Sequence, residues 1–376
     1  MSVWKGCLAL KHVLYIHPES NKSGGSDIVV PAGLIGVLNE VKKISNFGAI
    51  NLPLEKRINS SFNILDDELI RAADIILIDL HWYVFSHTAI ELSRQIKAIR
   101  DNAVIVLGGI TASIFSLEIM NTFSFVDFTI RGDAEKPLLM LIEWIDNPDN
   151  FCYIPNLCYR LNDGIHFSEH VYVGRYDKSL NSHDISWMRH SDEFLRYQGR
   201  LELSNKNGTL YEKLAWIQNA KGCDFNCSYC GGTCDVFKNF YSYDGMRFKP
   251  VTYLISEFEQ IHAKGIYKIG ITHDLGLQPK KDLHELCNYM IRKNIKFGIA
   301  NFCFQLPDLE FARIFNKMVN QENSIIGIPI ICGDELLRAR SGKCYSNKEI
   351  ELFLESFTNS DVLIVSGKCK STYSAS

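Results

Sequence analysis

Two stretches of the chain alternate short apolar runs with segments whose apolar residues recur at helical spacing. In the first, strands are predicted over 13–17, 48–52, 74–80, 103–107 and 126–131, with helices over 32–43, 67–73, 88–100, 113–121 and 135–145. The run 74–80 is almost unbroken apolar sequence, as a strand covered on both faces requires. In 88–100, Ala89, Ile90, Leu92, Ile96 and Ile99 fall at helical spacing. Five strands with intervening helices predict a Rossmann-like, doubly wound parallel α/β sheet. Ligands of such sheets bind beyond the carboxyl ends of the strands, where the strand order reverses. The loops of interest are therefore 17–31, 81–87, 108–113 and 131–136.

The alternation resumes later, with strands predicted over 214–219, 266–272, 296–301, 324–331 and 361–365 and helices over 252–264, 281–293, 308–319 and 348–358. Right-handed βα units in this order fit a partial (βα) barrel. Between the two stretches, 148–174 reads as a hairpin turning at Asn162-Asp163-Gly164, followed by a polar connector in which Trp187 and Phe194 pack locally. The expected domains are 1–150, 151–212 and 213–376. Only five strands precede a polar tail, so the barrel reads as truncated at its C-terminus. The fifth strand is then an edge that needs cover from a partner.

Composition narrows the functional classes. Of 376 residues, 46% are hydrophobic and 22% charged, which is ordinary for a globular protein, and the formal charge of -3 gives no electrostatic case for nucleic acid or an anionic membrane. No apolar run approaches the roughly 20 residues of a membrane helix, and the first residues lack a signal-peptide pattern. Small-molecule partners and a cytoplasmic location are the expectation. Twelve cysteines are scattered over a long chain, not concentrated as in a secreted disulfide scaffold.

The densest chemistry lies in 222–232, Gly-Cys-Asp-Phe-Asn-Cys-Ser-Tyr-Cys-Gly-Gly, which places thiols at Cys223, Cys227 and Cys230 in the spacing C-x3-C-x2-C. One short loop can wrap three sulfurs around a single inorganic cluster or metal ion. Three is the informative count: a cluster held by three thiolates keeps one iron without a protein ligand, whereas a structural site closes all four positions. Cys234 leaves a four-cysteine zinc or ferredoxin-like site open as an alternative. Against it, Asp235 stands where ferredoxin-type runs carry proline, and the separated second pair of a zinc site is missing. The loop follows the apolar run 214–219, at the strand end where parallel barrels place their chemistry.

A strand, Gly222, C-x3-C-x2-C and the aromatic Tyr229 before the last cysteine: this segment resembles the radical S-adenosylmethionine (SAM) enzymes. The resemblance implies that Cys223, Cys227 and Cys230 hold a [4Fe-4S] cluster whose fourth iron is chelated by the methionine moiety of SAM. It further implies reductive cleavage of SAM to a 5'-deoxyadenosyl radical that abstracts hydrogen from a small-molecule substrate. A reductant such as flavodoxin or ferredoxin would supply the electron. In the first stretch, Pro31-Ala-Gly-Leu-Ile, Gly108-Gly109 and Val126-Asp-Phe-Thr-Ile-Arg-Gly-Asp-Ala-Glu are similar to the N-terminal cobalamin-binding domain of one large subclass. That similarity implies cobalamin as a further cofactor, contacted from Gly108 and Gly109 and from His81 and Ser86 in the loop after the third strand. Methyl transfer to an unactivated carbon is the subclass's commonest outcome; ring rearrangement is also represented.

The chain departs from the pattern in places. Domains that bind cobalt through histidine use Asp-x-His-x-x-Gly after the first strand, and here that place holds His17-Pro18-Glu19. Asp79-Leu80-His81 repeats half of the motif after the third strand, with Val84 where glycine would be. The subclass resemblance implies cobalamin without a protein histidine on cobalt, and His81 stands as ligand, loop histidine or substrate-facing residue. A glycine pair such as Gly108-Gly109 also makes a simple turn. The resemblance places Asp274 near the SAM amine and Asn301 and Gln305 near its ribose, while Asp274 reads equally as a turn or capping residue. Gly327-Ile328-Pro329 replaces the family's Gly-Ile-Glu. Glu335 and Arg338 are candidates for substrate contact or for a solvated helix start. The alternative for the whole chain is a non-catalytic or accessory iron-sulfur homologue.

Overall fold

In the computed structural model the chain forms two compact units, and the structure describes residues 10–20, 28–161, 164–175, 181–198 and 213–368. The first unit takes the described residues up to 175, with 184–194 and 239–242; the second takes the rest.

The first unit runs β1 (His12–His17), α1 (Ala32–Val41), β2 (Asn46–Asn51), α2 (Leu52–Ile58), α3 (Glu68–Ala72), β3 (Ile75–Asp79), α4 (Ser86–Ile99) and β4 (Val104–Gly108). It continues through α5 (Ile110–Ile114), α6 (Ser116–Thr122), β5 (Phe128–Ile130), α7 (Pro137–Trp144), β6 (Leu157–Leu161) and β7 (Gly164–Phe167). The sheet order is β2-β1-β3-β4-β5-β6-β7, with the first five strands parallel. Alternate strand residues Leu14, Ile16, Ile76, Ile78, Ile105 and Leu107 enter one core with residues of α3, α4 and α6. Their neighbours Val13, Tyr15, Ile75, Leu77 and Val106 are buried as well. Burial on both faces is why these strands read as continuous apolar runs, and each such side chain contributes about 1.5–3 kcal/mol.

The doubly wound sheet expected from the pattern is present, and its order reverses between β1 and β3, since β1 pairs β2 on one side and β3 on the other. Two details differ from the periodicity. The helix expected over 113–121 is two helices that begin three residues earlier, because Gly109, at φ 109°, turns the chain directly from β4 into α5. The hairpin placed between the domains joins this sheet: β6 pairs antiparallel to β5. Its turn residues Asn162 and Asp163 lie outside the described residues. Trp187 packs edge-on against Tyr15 and Phe47.

After α8 (Ser191–Gln198), the second unit contains β8 (Leu214–Ile217), β9 (Ala220–Lys221), α9 (Cys234–Tyr241, its last residues counted with the first unit) and β10 (Arg247–Phe248). Then come α10 (Val251–Ala263), β11 (Lys268–Ile271), α11 (Lys280–Arg292), β12 (Gly298–Phe302), α12 (Leu309–Met318), β13 (Ile325–Ile331), α13 (Glu335–Arg340), α14 (Asn347–Glu355) and β14 (Leu363–Lys368). The sheet is parallel in the order β14-β13-β12-β11-β8, so strands after β8 add singly in one direction. Helices α10, α11 and α12 cover it in sequence, with Phe258, Phe297, Phe311 and Phe315 filling the core. The β9–β10 ladder is two residues long and antiparallel, too short to leave a sequence pattern. Among the described residues, no helix is long and apolar enough to cross a membrane.

Candidate functional site

The cysteine loop leaves β8 through β9 and turns at Gly222, φ 81°. A Cβ there would stand 2.8 Å from the Gly245 carbonyl oxygen and 2.8 Å from the Tyr243 ring, so only glycine fits. The Gly222 carbonyl lies 2.7 Å from His273 Nε2, and burial lowers the pKa of that imidazole. A neutral Nε2–H tautomer therefore donates to the carbonyl. On the far side, Asp224 Oδ1 accepts from the Met246 amide at 2.6 Å, while Asn226 Oδ1 accepts from the Asp235 amide at 3.0 Å at the start of α9.

Within this frame the Phe225 amide donates to Cys223 Sγ and the Gly232 amide to Cys230 Sγ, both at 3.4 Å. Cys227 is buried, Cys223 half-buried and Cys230 exposed, and all three are free thiols. Burial raises the Cys223 pKa most, the Phe225 backbone opposes it, and Cys230 and Cys227 raise it further. Cys223 thus feels the charge of the other two sulfurs, the situation a shared cationic group would relieve. Amide donors on the sulfurs are the kind of contact that tunes an iron-sulfur cluster. Among the described residues no three His, Cys, Asp or Glu side chains close around one metal ion; the loop presents three spaced thiols. Cys234 sits in the first turn of α9, its amide bonded to the Phe225 carbonyl at 2.9 Å.

Asp274 and Asn301 meet at the carboxyl ends of β11 and β12. Asp274 Oδ1 accepts from the Gly276 amide and Oδ2 from the Phe304 amide, each at 2.7 Å, and Asn301 Oδ1 accepts from the Leu275 amide at 2.9 Å. Both side chains are at most 1% exposed. This geometry matches the turn-building alternative for Asp274: its oxygens are already used on backbone donors. Gln305 donates to the Gly342 carbonyl at 3.0 Å. Arg338 is fully buried, donating to the Tyr345 and Cys332 carbonyls and to Asn347 Oδ1, so it braces the segment after β13.

The first unit offers a second site at its β1/β3 reversal. His17, the last residue of β1, and Asp79, the last of β3, are both buried, with His17 Nδ1 2.9 Å from Asp79 Oδ1. Tyr15 donates to the same oxygen at 2.8 Å, and among the described residues Asp79 Oδ2 has no partner. Beside them, a Cβ at Gly109 would lie 2.7 Å from His81 Cα, whereas one at Gly108 would meet nothing within 4 Å. The strand-end backbone is therefore open to a ligand at Gly108 and packed on the His81 main chain at Gly109. Thr111 donates to the His81 carbonyl from both its amide, at 3.3 Å, and its hydroxyl, at 3.1 Å. Burial lowers the His81 pKa to about 4, with Asp79 opposing and His17 reinforcing, and its ring stands edge-on to Trp82. Ser86 lines a cavity of about 560 Å³ with Leu80, Tyr83, His87, Thr111 and Phe115, among others.

The sequence pattern read Asp79 as half of a cobalt-binding motif and His17 as a departure from that motif at the place where it is expected. Only the pairing of β1 with β3 brings them together. Local sequence gives no signal for that contact, which spans 62 positions.

The architecture is shared with cobalamin-dependent radical SAM enzymes. TsrM from Kitasatospora setae, a radical SAM methyltransferase solved with cobalamin and a [4Fe-4S] cluster, aligns at 15% identity over 96% of this chain and 67% of its own, with a TM-score of 0.67. The same enzyme with tryptophan substrate and a SAM analogue aligns at 16% identity over 95% and 67%, TM-score 0.67. OxsB, a cobalamin-dependent SAM radical enzyme solved with aqua-cobalamin and SAM, aligns at 11% identity over 96% of this chain, TM-score 0.67; this chain spans about half of it, 49%. These likenesses establish the fold. No protein-family model matches the sequence, and no curated protein matches it.

Proposed function

We propose that the chain is a cobalamin-dependent radical SAM enzyme acting on a small molecule, with methyl transfer to an unactivated carbon as its reaction. The observation that carries this reading is the loop of Cys223, Cys227 and Cys230, three free thiols at a parallel-strand end in a fold shared with TsrM and OxsB. The residues present fit both groups. Three thiols with amide donors suit a cluster that keeps one iron for an outside ligand. The orphaned Asp79 Oδ2 and the open backbone at Gly108 suit a polar, bulky ligand at the β1/β3 reversal.

When bound, the cluster and SAM supply one-electron radical chemistry and cobalamin supplies a methyl carrier. The protein's part is to hold and orient. Gly222 and His273 fix the loop entry, the Phe225 and Gly232 amides direct the Cys223 and Cys230 sulfurs, and burial of Cys227 keeps water from one side. In the first unit, Asp79 offers one carboxylate oxygen while His17 and Tyr15 hold the other. A reductant of the flavodoxin or ferredoxin class and a cytoplasmic setting go with this chemistry.

The test is anaerobic reconstitution of the full chain with iron and sulfide, then incubation with hydroxocobalamin and with SAM plus reductant. Iron and sulfide in cluster stoichiometry, cobalamin absorption that survives desalting, and release of 5'-deoxyadenosine are expected. An intact cluster that leaves SAM uncleaved would make the chain an accessory iron-sulfur protein instead.

A further inference from the structure

The cysteine loop has a cationic neighbour that the fold goes to some length to hold. Gly342 lies against Cys227: a Cβ on it would stand 3.3 Å from Cys227 Sγ and 3.1 Å from Cys227 Cα. The next residue, Lys343, is only 3% exposed. Its amide bonds the Arg338 carbonyl at 3.0 Å, its ammonium donates to the Phe304 carbonyl, and Nζ sits 6.0 Å from the ring centre of Tyr229, one residue before Cys230. Phe304 in turn is tied through its amide to Asp274 and packs its ring on His273, which holds Gly222. Lys343 is thus fastened to both ends of the loop.

An ammonium carries three donors and a full charge, and burying it is costly unless an anion faces it. Among the described residues, Lys343 has one carbonyl acceptor and no carboxylate partner. Lys249, an equally buried lysine of this unit, has its carboxylate: Glu257, with both oxygens at 2.9 Å. The chain sets its thiols next to this segment: Gly342 abuts Cys227, and Tyr229, the ring nearest the ammonium, precedes Cys230.

We propose that Lys343 is the countercharge of the cysteine loop. Its ammonium, held on the Phe304 carbonyl 6.0 Å from the Tyr229 ring, offsets the charge of a three-thiolate iron-sulfur cluster and raises its reduction potential. This rests on the function proposed above. Net charge near a cluster is one of the quantities that set its potential: a nearby cation favours the reduced form, which carries one more electron.

The experiment compares full-length wild type, K343Q, K343M and K343R, each reconstituted anaerobically with iron and sulfide and titrated with dithionite under EPR detection, without SAM. K343Q keeps a donor for the Phe304 carbonyl and loses the charge; K343M fills the same space without charge. With iron and sulfide equal to wild type, the neutral variants are expected to disfavour reduction at least tenfold, a fall of about 59 mV for one electron. K343R should stay close to wild type. An unchanged midpoint in a neutral variant with full cluster content overturns the countercharge role and leaves the proposed function standing. A wild-type protein that assembles no cluster overturns the proposed function, and this inference with it.

Discussion

Asp79 ends β3 in the first unit and Asp274 follows β11 in the second; both are buried carboxylates at the carboxyl end of a parallel strand. They are used differently. Asp274 spends both oxygens on the amides of Gly276 and Phe304 and so builds the turn it sits in. Asp79 shares one oxygen between Tyr15 and His17 and, among the described residues, leaves the other without a partner. The difference follows from topology. In the second unit successive strands are neighbours, so the loop after β11 meets the loop after β12 and closes on it. In the first, the order reverses between β1 and β3 and the connections diverge, the arrangement at which such sheets hold ligands.

The largest effect is expected from removing the thiols: C223A/C227A/C230A should abolish iron and sulfide incorporation while the far-ultraviolet circular dichroism is retained, and cluster content equal to wild type would show that the metal is held elsewhere. Next is G109A, which puts a side chain at φ 109° and 2.7 Å from the His81 backbone. It should cost about 2–4 kcal/mol in chemical denaturation.

Smaller, and aimed at the two aspartates themselves, are D274N and D79N. An amide keeps one acceptor of two, so D274N strands a buried backbone donor and should cost about 1–3 kcal/mol. D79N still accepts from Tyr15 and should melt nearer to wild type, while retaining less cobalamin after desalting. Equal losses of stability in the two would remove the distinction.

The most gradual effect concerns His81. Its folded pKa, about 4, lies below the ordinary 6.5. Both states are neutral above pH 6.5; as the pH falls from there towards 4, the unfolded chain takes up a proton that the folded protein refuses. Stability should therefore decline over that window, by no more than about 1.4 kcal/mol per pH unit, and H81N should flatten this part of the profile.

Local pattern carried most of the architecture. The alternation of apolar runs and amphipathic segments predicted all five parallel strands of each sheet to within a few residues, because burial on both faces leaves a mark on every strand position. It missed β9 and β10, two residues each, and the short helices α2, α8 and α9; α9 begins in a loop ordered by polar contacts. The hairpin β6–β7 was legible as a hairpin, but its addition to the first sheet depends on the exposed edge of β5, a non-local fact.

The sequence by itself determined the three-thiol loop, since spacing within eight residues is a covalent property that no packing can alter. It also determined the succession of elements, which follows from the side-chain period of each segment. Tertiary structure alone decided which polar groups face a ligand and which face the backbone. It paired His17 with Asp79, set Asp274 and Asn301 on turn amides, and laid Gly342 against Cys227 across 115 positions. Hydrogen bonds and buried charges are satisfied by whatever the fold brings near, and sequence distance does not measure that.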